Sequence, residues 1–394
     1  MQYRTDPRSG NRLSVLGEGG MRLPKDYESA KRMMQTALDG GVNYIDTAYM
    51  YPGSEETFGR ILADLGRRDE VYLATKLPLF LLRSGADFEK YFSRELERLR
   101  TDHIDYYLLH MLTDVPTLEK LRGWGLEDWI LQKKASGQIR QFGFSFHGRQ
   151  ADFLALLDAW DWDCCMIQYN YSDENYQAGK AGLRAAAAKG LPVMIMEPLL
   201  GGRLADGLPE QARAAFRAVA PERSPAAWGF RWLWDQPEVT VVLSGMGHLD
   251  QVTENLRTAE TAAAGLLTDP ERAAYAKVAE ILRASTKVPC TGCGYCLPCP
   301  KHVNIPACFS AYNAFYAIDR KTGRQQYNTS TGSFSVHRGN AGQCVRCGKC
   351  ESHCPQAIPI REKLSEVQKT MEPVWWRVSM AAARKVLAFW NGKK

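Results

Sequence analysis

The sequence predicts a closed (β/α)8 TIM barrel, an α/β fold, followed by a small, mainly helical domain built around cysteines. Three observations carry that prediction. From about residue 13 to 256, short β-rich runs alternate with amphipathic helical stretches. The runs are nearly continuous in apolar residues, as expected of parallel strands covered on both faces. Past residue 286 the composition changes abruptly: of 11 cysteines only Cys164 and Cys165 come earlier, and nine lie between Cys290 and Cys354.

The strand candidates follow in order. R-L-S-V-L (12–16) opens the series, then V-N-Y-I-D-T (42–47), V-Y-L-A-T-K (71–76) and I-D-Y-Y-L-L-H (104–110). I-R-Q-F-G-F-S (139–145), C-C-M-I-Q-Y (164–169), P-V-M-I-M-E (192–197) and V-T-V-V-L-S (239–244) complete eight. Residues 26–39, 54–65 and 87–100 are amphipathic helical segments between them. Eight such units in roughly 250 residues match a closed barrel. The competing fold is a doubly wound open sheet, but G-E-G-G near residue 17 lacks the full dinucleotide-binding spacing. A helix over 269–284 closes the domain. The expected division is a barrel over 1–285, a cysteine domain over 286–370 and an amphipathic tail over 371–394. Within the second domain, 306–319 reads as a helix, and the polar, Gly/Ser-rich 324–343 reads as a loop between two cysteine motifs.

Composition narrows the function classes. A 394-residue chain that is 45% hydrophobic and 24% charged is ordinary for a globular protein. Its net charge of +6 is modest for this length and makes no case for nucleic acid. No uncharged apolar run approaches the ~20 residues of a membrane span. M-Q-Y-R-T-D-P-R-S-G lacks the apolar core of a secretory leader, so the expected location is the cytoplasm. In that reducing compartment clustered cysteines serve as metal or redox ligands rather than disulfides.

Three predicted strands end on ionisable residues: Asp46, Lys76 and His110, with Tyr51 five residues beyond Asp46. Singly, each is an ordinary solvated strand end. In a barrel, these ends converge on the C-terminal rim where barrel active sites lie. A tyrosine hydroxyl, with its ordinary pKa near ~10, is too weak an acid at neutral pH. A lysine cation beside it lowers that value, and a buried aspartate keeps the lysine charged. A histidine can orient a carbonyl or relay the proton.

These stretches carry a family resemblance. G-V-N-Y-I-D-T-A-Y-M-Y with E-E-T-F-G-R-I-L, A-T-K, D-Y-Y-L-L-H, S-G-Q-I-R-Q-F-G-F-S, I-Q-Y-N and S-G-M-G-H-L-D-Q-V-T-E-N-L resemble the aldo-keto reductases over roughly 12–258. The resemblance implies a catalytic tetrad at Asp46, Tyr51, Lys76 and His110, with Tyr51 as general acid. It also implies a nicotinamide cofactor held without a Rossmann fold, by Ser145, Gln168, Ser244, Gly245, Gln251, Glu254 and Asn255. Two departures stand out. Phe146 follows Ser145 where the family commonly has an asparagine, and its plain reading is a packing residue. Gly245 and Gln251 occupy the places of a lysine and an arginine that often hold the 2′-phosphate of NADPH. Neither supplies a charge-assisted bond, so NADH, NADPH and an unusual donor all stay open.

The cysteines form two motifs. Cys344-x2-Cys347-x2-Cys350-x3-Cys354-Pro355 has the spacing of bacterial ferredoxin [4Fe–4S] sites, whose fourth cysteine ligates the other cluster. Cys290-x2-Cys293-x2-Cys296-x2-Cys299-Pro300 differs by one residue. V-N-I-P and A-I-P-I follow the two motifs, an imperfect internal repeat. The expected sets are Cys290, Cys293, Cys296 and Cys354 for one cluster, and Cys344, Cys347, Cys350 and Cys299 for the other. Two zinc sites of four cysteines each are the competing reading, but zinc favours paired C-x2-C knuckles. Cys308 is left as a buried thiol, and Cys164 and Cys165 as packing residues. The whole resembles the subgroup of aldo-keto reductases with a ferredoxin-like tail.

Hydride transfer moves two electrons together, whereas an iron–sulfur cluster exchanges one at a time. Clusters wired to the barrel therefore call for a flavin or a radical-stabilising substrate, and two clusters could jointly store an electron pair. The leading expectation is an oxidoreductase acting on a small-molecule carbonyl/alcohol pair, its clusters exchanging electrons with an external carrier. The alternatives are an NAD(P)H-dependent reductase with structural clusters and a non-enzymatic redox-sensing or interaction protein. V-W-W-R-V-S-M-A-A-A-R-K-V-L-A-F-W (374–390) mixes apolar and basic residues. It reads as a helix packed on its own protein or a second subunit, with a membrane-surface helix as the lesser reading.

Overall fold

The computed structural model describes residues 1–317, 319–331, 333 and 338–380. An antiparallel hairpin of β1 (Tyr3–Thr5) and β2 (Arg12–Ser14) comes first. Then β3 (Leu16–Gly19), α1 (Tyr27–Asp39), β4 (Tyr44–Asp46), α2 (Ser54–Leu65), β5 (Tyr72–Leu77), α3 (Ala86–Leu99) and β6 (Ile104–Leu112) follow. Next are α4 (Val115–Gly123), α5 (Leu126–Ala135), β7 (Ile139–Phe146), α6 (Gln150–Ala159), β8 (Cys164–Gln168), α7 (Gly179–Ala188) and β9 (Val193–Met196). The series ends with α8 (Glu210–Arg217), α9 (Pro225–Trp234), β10 (Val239–Ser244) and α10 (Leu249–Glu260). Strands β3 to β10 pair in parallel with their neighbours, and β10 returns to β3 to close the predicted barrel.

Its interior is filled by inward side chains, among them Tyr44, Ala74, Tyr106, Leu108, Met166 and Met194. Cys164 and Cys165 are fully buried in β8, and Cys164 belongs to this filling. The helix starts follow local chemistry. Asp26 caps α1 by accepting the Ser29 N–H at 2.9 Å, which satisfies one of the orphan donors of the first turn.

The opening strand differs from the sequence expectation. The run 12–16 is not one strand: Arg12–Ser14 belongs to the hairpin, and the barrel strand starts at Leu16. The Ser14 hydroxyl donates to Leu16 O (2.7 Å) and Val15 N–H to Gln2 O (3.0 Å), so the chain leaves one ladder before entering the next.

The chain divides into two compact units. The first comprises Met1–Leu200, Leu204–Asp206 and Phe216–Tyr275; the second takes Gly201–Arg203, Gly207–Ala215 and the described residues from Ala276 on. The division falls inside α11 (Asp269–Ser285). The second unit is helical, with α12 (Ile305–Ala317), α13 (Arg320–Ser330) and α14 (Ile360–Met371) around a core that includes Val303, Phe309, Tyr327, Leu364 and Met371.

Helix α13 corrects the loop expected over 324–343. Asp319 caps it by accepting the N–H groups of Lys321 and Thr322, both at 2.8 Å. Gly323 lets it lie against α12, since a Cβ there would sit 2.4 Å from the Phe315 Cα. Tyr327 is buried and its hydroxyl donates to Glu372. The polar composition hid a helix that needs only one buried face. Residues 332 and 334–337 of that stretch, and 381–394 of the expected tail, lie outside the described residues. Among the described residues no helix is long and apolar enough to cross a membrane.

Candidate active site and cluster centres

Asp46 ends β4 and Lys76 lies near the end of the neighbouring strand β5. The Lys76 ammonium donates to both carboxylate oxygens of Asp46 and to Thr47 O, each at 2.7 Å. All three donor positions are thereby used in a site where Lys76 is 1% exposed. Burial pulls Lys76 below the ordinary lysine value, and Asp46 opposes that pull. The same cation stands 5.0 Å from the centre of the Tyr51 ring. Tyr51 is half-buried in the turn between β4 and α2, where its N–H donates to Ala48 O at 2.9 Å. His110 meets the Tyr51 ring edge-on, with centres 6.0 Å apart. The structure thus brings Asp46, Tyr51, Lys76 and His110 together.

His110 is aimed by an irregularity in its strand. The β6–β7 register shifts between Leu109 and Leu112, and Met111 takes a left-handed φ of 59°. A bulge re-aims side chains at such a point, and a non-glycine residue there stores strain. Ser145 secures it: its hydroxyl accepts the Met111 N–H at 2.9 Å. The serine expected at the nicotinamide therefore also holds the strand that carries His110.

Burial pushes His110 well below the ordinary histidine value, with Lys76 and then His147 adding to the effect. His147 was not foreseen. Burial lowers it to about 4, against a hydrogen bond with Gln177 that pulls the other way. Both rings are neutral at pH 7, as suits groups that hydrogen-bond a carbonyl. Phe146 is fully buried against Phe144 and Phe153, with ring centres 6.4 and 4.9 Å away, so it is a packing residue. The strand alternation that turns Phe146 away brings the next residue, His147, toward the tetrad. Only that alternation, read one residue past the strand end, could have signalled it.

Five of the other nucleotide candidates, Ser244, Gly245, Gln251, Glu254 and Asn255, lie where β10 meets α10. Ser244 accepts from the Asn255 side chain at 3.1 Å, and both are buried. Gln251 accepts the Gly247 N–H at 2.9 Å, fixing the connecting loop. Glu254 is exposed on α10. Gln168 ends β8 and is 4% exposed. Gly245 is exposed, and a Cβ on it would lie 3.6 Å from the guanidinium of Arg22. Arg22 thus stands where sequence found no cation, reaching the place from the loop after β3.

In the second unit, Cys299, Cys344, Cys347 and Cys350 line one cavity of about 180 Å³, and Cys296 borders both this cavity and its neighbour. Cys290, Cys293, Cys296 and Cys354 line a second, smaller one. Among the described residues no group of three His, Cys, Asp or Glu stands close enough to hold a single ion. Cysteines ringed around cavities fit a multi-atom cluster, whose usual donors are thiolates. Six of the eight sulfurs pack against the apolar core of this unit. Arg203, half-buried in the second unit, donates to the Thr286 hydroxyl at 2.8 Å and lies in the field of Cys290. Cys308 is buried, its thiol 3.5 Å from Gly339 O.

A parallel barrel with a buried Lys–Asp pair facing a tyrosine and a neutral histidine at its rim defines a class of carbonyl-handling oxidoreductase. The aldo/keto reductase family model matches residues 15–264, and the chain belongs to that family. A 4Fe-4S dicluster domain model matches residues 289–358. The chain is 26% identical over 286 residues to the uncharacterized oxidoreductase YqkF of Bacillus subtilis, covering 63% of this chain and 87% of that protein. It is 26% identical over 305 residues to a probable voltage-gated potassium channel subunit beta of Oryza sativa subsp. japonica, covering 65% and 90%. Among solved structures, aldo-keto reductase AKR11C1 from Bacillus halodurans, in its holo form, aligns with a TM-score of 0.59 and 26% identity, covering 71% and 96%.

Proposed function

We propose that the chain interconverts a small-molecule carbonyl and the corresponding alcohol at Asp46, Tyr51, Lys76 and His110, with a nicotinamide as hydride partner. The observation that carries this reading is Lys76, held by Asp46 and facing the Tyr51 ring. A fixed cation beside a phenol stabilises its ionised form and so eases donation of its proton to a carbonyl oxygen. His110 and His147, both neutral, orient the carbonyl from the side. The bound nicotinamide supplies the hydride, and Ser145, Gln168 and the loop from Ser244 to Gln251 are the groups that would hold it. Arg22 is the cation available to a phosphate of that cofactor.

Cys290, Cys293, Cys296 and Cys354 would hold one [4Fe–4S] cluster and Cys299, Cys344, Cys347 and Cys350 a second, and such clusters would supply one-electron exchange with an external carrier. A flavin is a candidate intermediary between hydride and single electrons.

The test is anaerobic protein with iron and sulfide quantified, titrated with NADH and then NADPH while visible and electron paramagnetic resonance spectra are followed. Reduction without an added flavin or partner supports shared electrons. Clusters that dithionite reduces and neither nucleotide does would leave the reductase reading with clusters that are structural or fed by another carrier. Zinc in place of iron would overturn the redox role.

A further inference from the structure

The two cysteine cavities differ in what surrounds them. Among the described residues no charged side chain lines the smaller one, which is closed by Ile305, Phe309 and Ile360 among others. The larger one is lined by Lys301, Lys349 and Arg361 and, among the described residues, by no carboxylate. Its edge is open. Cys347 is exposed, as are Lys301, Arg346 and Lys349. Two apolar side chains stand out in the same place: Leu297 is 42% exposed and Val345 57%. The nearby carboxylate Glu351 is bound by Arg361 of α14, 2.7 Å away, and so is neutralised by that cation. Arg346 holds a left-handed φ of 57°, with its N–H 3.4 Å from the Cys344 sulfur. Backbone of this shape keeps the loop close around its cysteines.

An exposed cysteine flanked by two apolar side chains and ringed by cations has the make-up of a small electron-transfer interface. Such interfaces are weak and of small area, with complementary charge setting encounter rate and orientation. We infer that the face formed by Leu297, Lys301, Val345, Arg346 and Lys349 docks an acidic one-electron carrier protein over Cys347. The inference rests on the proposal that Cys299, Cys344, Cys347 and Cys350 hold a redox-active cluster. One electron leaves the reduced carrier, which is oxidised by one unit, and enters the oxidised cluster, which is reduced by one; no proton or group moves.

The probe is a purified acidic [2Fe–2S] ferredoxin, used with the anaerobic iron-loaded full chain. Binding of the oxidised ferredoxin is measured by calorimetry, and cluster reduction by the reduced ferredoxin is followed by stopped-flow absorption. Wild type should show a rate constant that falls steeply with salt. The double variant Lys301→Glu/Lys349→Glu should lose at least tenfold in both affinity and rate constant. The control Lys120→Glu/Lys189→Glu, of equal net charge with both changes in the barrel unit, should keep both. Iron content and reduction by dithionite confirm that each variant is loaded. Equal rates in wild type and double variant, both reducible by dithionite, would overturn the docking face alone. An equal loss in the control would do the same, since net charge would then explain it. A loaded chain that dithionite does not reduce would overturn the cluster reading and this inference with it.

Discussion

At the scale of single residues, three side chains carry distinct expectations. Tyr51→Phe removes the hydroxyl but keeps the ring against His110. We expect kcat for carbonyl reduction to fall by about 10²–10⁴, the usual contribution of a positioned acid, with nucleotide binding unchanged by fluorescence titration. Arg22→Ala removes the cation beside Gly245. It should weaken NADPH about 10- to 100-fold, the worth of a charged hydrogen bond, and NADH less. An equal loss for both cofactors would place Arg22 on the shared pyrophosphate instead.

Glu18 is the third. Gly17 faces the barrel interior, where a Cβ would meet Leu243 and Val241, so Glu18 in β3 points toward the helix layer. It is 2% exposed, and neither carboxylate oxygen has a hydrogen-bond partner among the described residues. Burial raises it well above the ordinary glutamate value of 4.5. An acid raised in the folded state favours folding relative to its ionised form only while the pH is low. Its contribution is full below about pH 4.5 and is lost as pH rises through the folded value. Glu18→Met should therefore stabilise the barrel by about 1–3 kcal/mol at pH 8, and by less at pH 5. Urea unfolding at the two values tests this, and an unchanged pH dependence would refute it.

At the scale of elements, the β6 bulge is the piece to test. Ser145→Ala deletes the acceptor of the Met111 N–H. The hydrogen bond itself is worth about 1 kcal/mol, yet His110 hangs from that turn. We expect kcat to fall more than tenfold with a small loss of stability, and Ser145→Thr, which keeps a hydroxyl, to recover part of it. Helix α13 shows why element reading missed. Its polar residues satisfy solvent on one side, and its stability comes from Gly323 and Tyr327 packed in the core. Sequence-local signals contain no term for such a partner.

At the scale of the whole molecule, the two units rest on different physics. The barrel has its own closed strand ladder and a filled interior. The second unit folds around a modest core onto which six of the eight motif cysteines pack. Where metal binding and folding are coupled, removing the metal removes stability. Chelating the iron should therefore abolish the protection of α12 to α14 in hydrogen exchange and leave β4 to β8 protected. Uniform loss across the chain would show instead that the two units unfold as one.

The barrel, its helices and the convergence of Asp46, Tyr51, Lys76 and His110 were legible because strand periodicity and strand-end position are local properties of a sequence. The two cysteine motifs were legible for the same reason, since each is a run of short spacings within the segment that the dicluster domain model matches. Arg22 beside Gly245, His147 beside the tetrad, Ser145 under the bulge and the cationic rim of one cysteine cavity were decided by the tertiary structure alone. Each depends on residues far apart in the chain meeting at one point, and such distances are set by how strands close and helices pack rather than by any neighbouring residue.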